Sequence, residues 1–139
     1  MGEVSGAGEV FVSVTRLRLR SARFLLPFLV FTDRSLRQAR RAPGCRHART
    51  RKTRGLTFWT LSAWDSEASM AAFRAAPPHR EAMSRLAAWC DEASVAHWTE
   101  AAGGLPSWRH AEEELAACGR LSRVLHPSPA QAAGRIEIS

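Results

Sequence analysis

The chain is poor in lysine, in cysteine and in long apolar runs, and one stretch of it nearly lacks acid. Nineteen of its twenty basic residues are arginine, with Lys52 the exception. The cysteines, Cys45, Cys90 and Cys118, are odd in number and widely spaced. That excludes a disulfide framework and matches no zinc-ligand spacing. Reduced thiols and a cytoplasmic location are expected. The apolar run Phe24 to Phe31 is broken by Pro27 and falls far short of the roughly 20 residues that cross a bilayer, so no membrane span is expected. Arg16, Arg18, Arg20 and Arg23 before it mimic a signal peptide. However, Thr32-Asp33-Arg34 stands where a small-residue cleavage site belongs. There is no Gly-rich phosphate loop, nucleophile elbow or paired-carboxylate pattern. No two histidines stand at short ligand spacing, so no metal site is expected.

What is present suits a single domain. At 139 residues the chain is long enough for a proper core. Its formal charge of +7 is uneven: thirteen Arg/Lys and one acid, Asp33, lie between Arg16 and Arg54. Arginine clusters neutralise phosphates. No aromatic residue interrupts Arg34 to Arg54, however, so base stacking has no support there. The belt reads as a solvated surface with at most weak, salt-sensitive nucleic-acid binding.

The stretch from Leu56 to Trp98 organises the rest. It reads as strand, two short helices, strand, the second half of a split β-α-β domain. Its first strand, Thr57 to Trp64, carries Phe58, Thr60, Ser62 and Trp64 on one face and Thr57, Trp59, Leu61 and Ala63 on the other. With a tryptophan on each face and no charge, the strand is buried on both sides. The second face is expected to meet another subunit or a ligand. Before it, Val10 to Leu19 alternates as a strand whose later part is apolar on one face and basic on the other. A helix from Ala22 or Pro27 to Arg41 carries Phe28, Phe31, Ser35, Leu36 and Ala39 at helical spacing and stops at Ala42-Pro43-Gly44. Cys45 to Lys52 is polar and suits an edge strand. Asp65 is placed to cap the next helix, Pro78 to open the one after, and Met83, Leu86 and Cys90 to share one side of that helix. The fourth strand is Ala93 to Thr99. The fold class is therefore α+β, a ferredoxin-like split β-α-β with an antiparallel sheet. Residues 10–100 form that domain. Residues 101–139 form a C-terminal extension: a short helix capped by Ser107, a small strand within Leu121 to Leu125, and a tail from His126.

Pro43-Gly44-Cys45 after an Arg-rich helix, Thr60-Leu61-Ser62-Ala63-Trp64-Asp65, Met70-Ala71-Ala72-Phe73 and His79-Arg80-Glu81-Ala82-Met83 resemble the antibiotic-biosynthesis-monooxygenase superfamily of dimeric α/β barrels. The likeness is nearest to its spheroidene-monooxygenase-like members. The resemblance implies a homodimer whose two sheets close a barrel, with a ligand pocket between sheet and helices. Some members oxidise aromatic polyketides with oxygen and no cofactor, and others bind haem through histidine. The chain lacks the Gly-Trp pairing expected after the second helix.

The candidate site follows from both readings. His79, at a helix N-terminus, is expected to hold a neutral ring, because the dipole disfavours imidazolium. It is the first candidate base, or the axial ligand if haem is bound. His97, beside Trp98, is the second, and His47 is a further strand histidine. His110 and His126 are expected to face solvent. Phe28, Trp59, Trp64 and Trp98 are candidates to clamp a hydrophobic, aromatic or polyene substrate, although each also suits core packing. The expected function is a monooxygenase-like activity on such a molecule, without a cofactor or with haem. The alternative is a non-catalytic dimer that binds it.

Overall fold

The computed structural model describes residues 8–77, 79–104 and 106–139. The elements are β1 (Glu9–Leu19), one 3-10 turn (Ala22–Phe24), α1 (Leu25–Arg41), β2 (Cys45–Lys52), β3 (Thr57–Trp64), α2 (Glu67–Ala75), α3 (His79–Trp89), β4 (Cys90–Ala101), α4 (Trp108–Cys118), β5 (Arg120–Leu121) and α5 (Pro129–Ala132). The strands form one antiparallel sheet in the order β2-β3-β1-β4-β5. This is the ferredoxin-like α+β arrangement, with the charged β2 at an edge. Pro78, expected to open α3, lies outside the described residues.

Local chemistry sets the element ends. Ser21 caps the 3-10 turn, and Pro27 falls in the first turn of α1, where a missing N–H costs nothing. Gly44 turns the chain into β2 at φ +86°, in the left-handed region that glycine tolerates. Ser66, not Asp65, caps α2: its Oγ accepts from the Ser69 N–H at 3.2 Å. Asp65 is one residue too early to reach that donor and instead accepts from Arg46 Nε at 2.6 Å. Cys90 leaves the helical stripe and opens β4, which runs longer at both ends than the pattern suggested.

The sheet is covered on both faces by this chain. One face carries Thr60 and Ser62 of β3 and lies under α1, α2 and α3. The other carries Val10, Val12, Val14, Trp59, Leu61, Ala63 and Ala96, packed against Ala111 and Leu115 of α4 and against Ile136 and Ile138. This overturns the expectation that a second subunit or a ligand covers β3. It also removes the motive for a homodimer closed through that face. The expected tail is likewise corrected: Ser128 and Ala130 are buried, and Ser128 N–H donates to the Asp91 carbonyl at 2.9 Å.

The basic half of β1 divides differently from its pattern. Alternation places Arg16 on the same face as Val14, and it is 3% exposed. Arg16 Nη1 donates to Glu92 Oε1 at 2.9 Å, and its Nε and Nη2 donate to the Ser139 carbonyl at 3.1 and 2.8 Å. Ser128 donates to the other Glu92 oxygen at 2.7 Å. A buried charge survives only when paired and hydrogen-bonded, and the extension supplies three of those four bonds.

Candidate functional site

A cavity of about 430 Å³ lies between the sheet and helices α1 to α3. Its floor is made by the sheet face that points at the helices: Ser13, Thr15 and Leu17 of β1, Thr60 and Ser62 of β3, and Val95 and His97 of β4. Period-two alternation brings these residues together from strands far apart in sequence. The walls are apolar, with Phe31, Leu36, Met70, Phe73, Met83 and Leu86. The floor is not. Ser13, Thr15 and Thr60 sit on central strands yet remain half-exposed, because they open into the cavity. Their hydroxyls have no protein partner among the described residues, whereas Ser62 Oγ accepts from Trp64 Nε1 at 2.9 Å.

His79 stands at the first position of α3. Its backbone N–H donates to Gln38 Oε1 at 3.0 Å, and its ring lies 4.5 Å from that of Phe73. Nδ1 is 2.6 Å from Ser35 Oγ of α1. Burial first, and the charge of Arg74 second, lower its pKa from 6.5 to about 4. The ring is neutral at pH 7, as the helix N-terminus suggested, but desolvation is the main cause. His97 reaches the same cavity from the floor, its ring 5.4 Å from that of Phe11. Burial, then Arg74 and Arg120, lower its pKa against an opposing pull from Glu67.

Of the six residues expected to make the site, the structure brings His79 and His97 to one cavity. The four aromatics lie elsewhere. Trp59 and Trp98 are on the opposite sheet face. Trp59 Nε1 donates to Thr53 Oγ1 at 3.2 Å, and Trp98 Nε1 donates to Glu100 Oε1 at 2.6 Å. Phe28 is buried in a neighbouring cluster, 4.7 Å from Phe58. Trp64 is buried beneath Phe73 at 5.1 Å. All four are core or face-packing residues, not a substrate clamp. His47 is exposed and off the cavity. The His110 side chain is exposed, as expected, with its ring edge-on to Trp98 at 5.7 Å.

Ser35 was legible only as part of a helical stripe, and nothing in the pattern gave it a partner. Arg74, Arg120 and Arg123 also line the cavity and carried no signal in sequence. Among the described residues, no three His, Cys, Asp or Glu side chains gather as a metal site. No described helix is long and apolar enough to cross a membrane. A second, shallower groove runs between α1 and α2, bordered by Arg34, Arg37 and Arg41, with Phe73 its one aromatic.

No protein-family model matches the chain, and no curated protein matches it. Solved structures do. SnoaB, a cofactor-independent oxygenase from Streptomyces nogalater, is 18% identical, with a TM-score of 0.52 over 70% of this chain and 95% of its own. A candidate antibiotic biosynthesis monooxygenase from Nitrosomonas europaea is 17% identical, with a TM-score of 0.56 over 70% of this chain and 91% of its own. Rv0793 from Mycobacterium tuberculosis is 15% identical, with a TM-score of 0.58 over 70% of this chain and 99% of its own. At such identities the likeness establishes a shared fold, that of antibiotic biosynthesis monooxygenases.

Proposed function

We propose that this chain binds an oxygen-bearing aromatic molecule in the cavity and promotes its oxidation by O2 without a cofactor. The observation that carries the reading is His79, neutral and held through Nδ1 by Ser35 at 2.6 Å, in an apolar-walled cavity that His97 also lines. In the tautomer whose Nδ1–H donates to Ser35 Oγ, Nε2 bears the lone pair. It would take the proton from an acidic C–H or phenolic O–H. The substrate anion then supplies the electrons that reduce O2, one oxygen atom entering the substrate and the other leaving as water. A base with a pKa of about 4 accepts that proton only while the nascent substrate anion stabilises the imidazolium beside it. Closure of the cavity around both charges is therefore part of the mechanism.

The floor favours an aromatic over a polyene substrate. Burying the free hydroxyls of Ser13, Thr15 and Thr60 under hydrocarbon would cost about 1–3 kcal/mol each. Ring oxygens would satisfy them. The volume suits a compact ligand. A homodimer through the second sheet face would have to displace α4. The free thiols of Cys45, Cys90 and Cys118 suit a reducing cytoplasm.

Haem is the alternative that the sequence resemblance carries. His79 Nε2 is the atom that would hold it, with Ser35 orienting the ring, and haem would supply the oxygen activation. The test begins with an absorption spectrum after adding haemin. A Soret band that His79→Ala abolishes would replace the cofactor-free reading. Without one, oxygen uptake is measured with a hydroxyanthrone, whose ring C–H is acidic. His79→Ala is expected to slow uptake by about a hundredfold, the low end for loss of a general base. No uptake, with ligand binding unchanged in His79→Ala and His97→Ala, would leave a non-catalytic binding protein.

A further inference from the structure

The mouth of the cavity is basic, and the extension makes it so. Arg74 comes from the last turn of α2, and Arg120 and Arg123 come from β5 and the segment after it. All three are exposed. Among the described residues, ion pairs engage Arg16, Arg18, Arg37, Arg46, Arg51 and Arg109, and none of the three at the mouth. No described Asp or Glu lines the cavity. Glu67 is the one acid felt at His97, against both Arg74 and Arg120.

Strand register aims Arg120. It pairs with Val95 of β4, and directly opposed residues in an antiparallel pair point to the same side. Val95 and His97 both face the cavity, so Arg120 does too. The Ser122 N–H donates to the Ala93 carbonyl at 2.9 Å and holds the segment against β4 as far as Arg123. Neither arginine belongs to the β-α-β-β-α-β unit. The extension therefore covers one sheet face and also delivers cations to the mouth of the cavity on the other.

We propose that the molecule this cavity takes carries a carboxylate, or another singly charged oxyanion, which Arg120 and Arg123 hold at the mouth while its apolar body reaches the histidines. Guanidinium forks match a carboxylate in plane, and charged hydrogen bonds are about twice as strong as neutral ones. A carboxylate left at the mouth stays partly hydrated, so the ligand enters body first without burying its charge. Arg74 adds long-range attraction and disfavours a cationic ligand. The inference rests on the cavity being a small-molecule site, as proposed above, and adds the charge of its ligand.

The experiment titrates 2-anthroate and its neutral primary amide into the full chain, followed by probe fluorescence. The wild type is expected to bind the carboxylate at least about tenfold tighter, the worth of one charged hydrogen bond near a surface. The preference should shrink with added salt. Arg120→Gln with Arg123→Gln should abolish the preference by weakening the carboxylate alone, and Arg120→Lys with Arg123→Lys should restore part of it. These side chains hold nothing in the described fold, and unchanged circular dichroism would check that. Equal affinity for both probes, or equal weakening of both in the Gln pair, would overturn the inference and leave the small-molecule site intact. No binding of either probe would overturn that site and this inference together.

Discussion

Arg16 and Glu92 lie face to face on the covered side of the sheet, Nη1 to Oε1 2.9 Å, with side chains 4% and 5% exposed. Their strands pair so that Arg16 opposes Ser94 and Arg18 opposes Glu92, which makes them diagonal neighbours. Burial raises the Glu92 pKa, but hydrogen bonds from Ser128 and Arg16 and the charge of Arg18 outweigh it and leave the carboxyl below its ordinary value. The pair therefore ties the C-terminal extension to the middle of the domain.

Removing one partner should cost far more than removing both. Arg16→Met is expected to destabilise the chain by about 3–5 kcal/mol, because Glu92 is left buried and unpaired. Arg16→Met combined with Glu92→Leu should recover much of that loss. Urea unfolding of the three proteins decides it. A single variant that costs less than about 1 kcal/mol, within the range of an exposed pair, would show that the site is open to water.

The covered face predicts the assembly state. Leu115 is fully buried against the sheet, so Leu115→Ala should cost about 2–5 kcal/mol. Leu115→Asp should detach α4, expose Trp59 and Val12, and drive self-association. The intact chain should form no dimer through this face. A stable dimer that forms by displacing α4 from Trp59 would contradict the packing described.

Acid should weaken the fold through His79. Its folded pKa, about 4, lies below the ordinary 6.5, so the unfolded chain binds the extra proton. Stability from this group is complete above pH 6.5 and is lost as pH falls from there to about 4. The loss amounts to as much as about 3 kcal/mol. His79→Gln should flatten the unfolding free energy across that window. An unchanged pH slope in the variant would mean that other groups carry it.

Gly44 should not accept a side chain. Its φ of +86° is left-handed, and a Cβ there would collide with the side chain of Ser69. The backbone conformation alone costs an L-residue about 1–2 kcal/mol, so Gly44→Ala should lower stability by at least that much. Gly55, also left-handed at φ +58°, has open space around its Cβ and should tolerate alanine better. Thermal unfolding of the two variants side by side would reverse this ranking if the turn at Gly44 can relax.

Sequence alone determined the β-α-β-β-α-β order, the edge position of β2, the double burial of β3 and the place of His79 at a helix N-terminus; the burial that keeps its ring neutral is tertiary. Each feature read from sequence follows from local periodicity, local charge or helix-end chemistry, all carried by residues near one another in the chain. Which side of the sheet a residue faces relative to distant elements is not local. Alternation set Trp59 apart from Thr60, and Trp98 apart from His97, but could not say which face held the cavity. Only the docking of α4, Ile136 and Ile138 decided that, turning the expected clamp of Trp59 and Trp98 into core. The hydrogen bond between Ser35 and His79, and the arrival of Arg120 at the cavity that His97 lines, likewise join residues far apart in the chain. Tertiary packing created them, because it closes the distance between groups whose own sequence neighbours give no sign of the meeting.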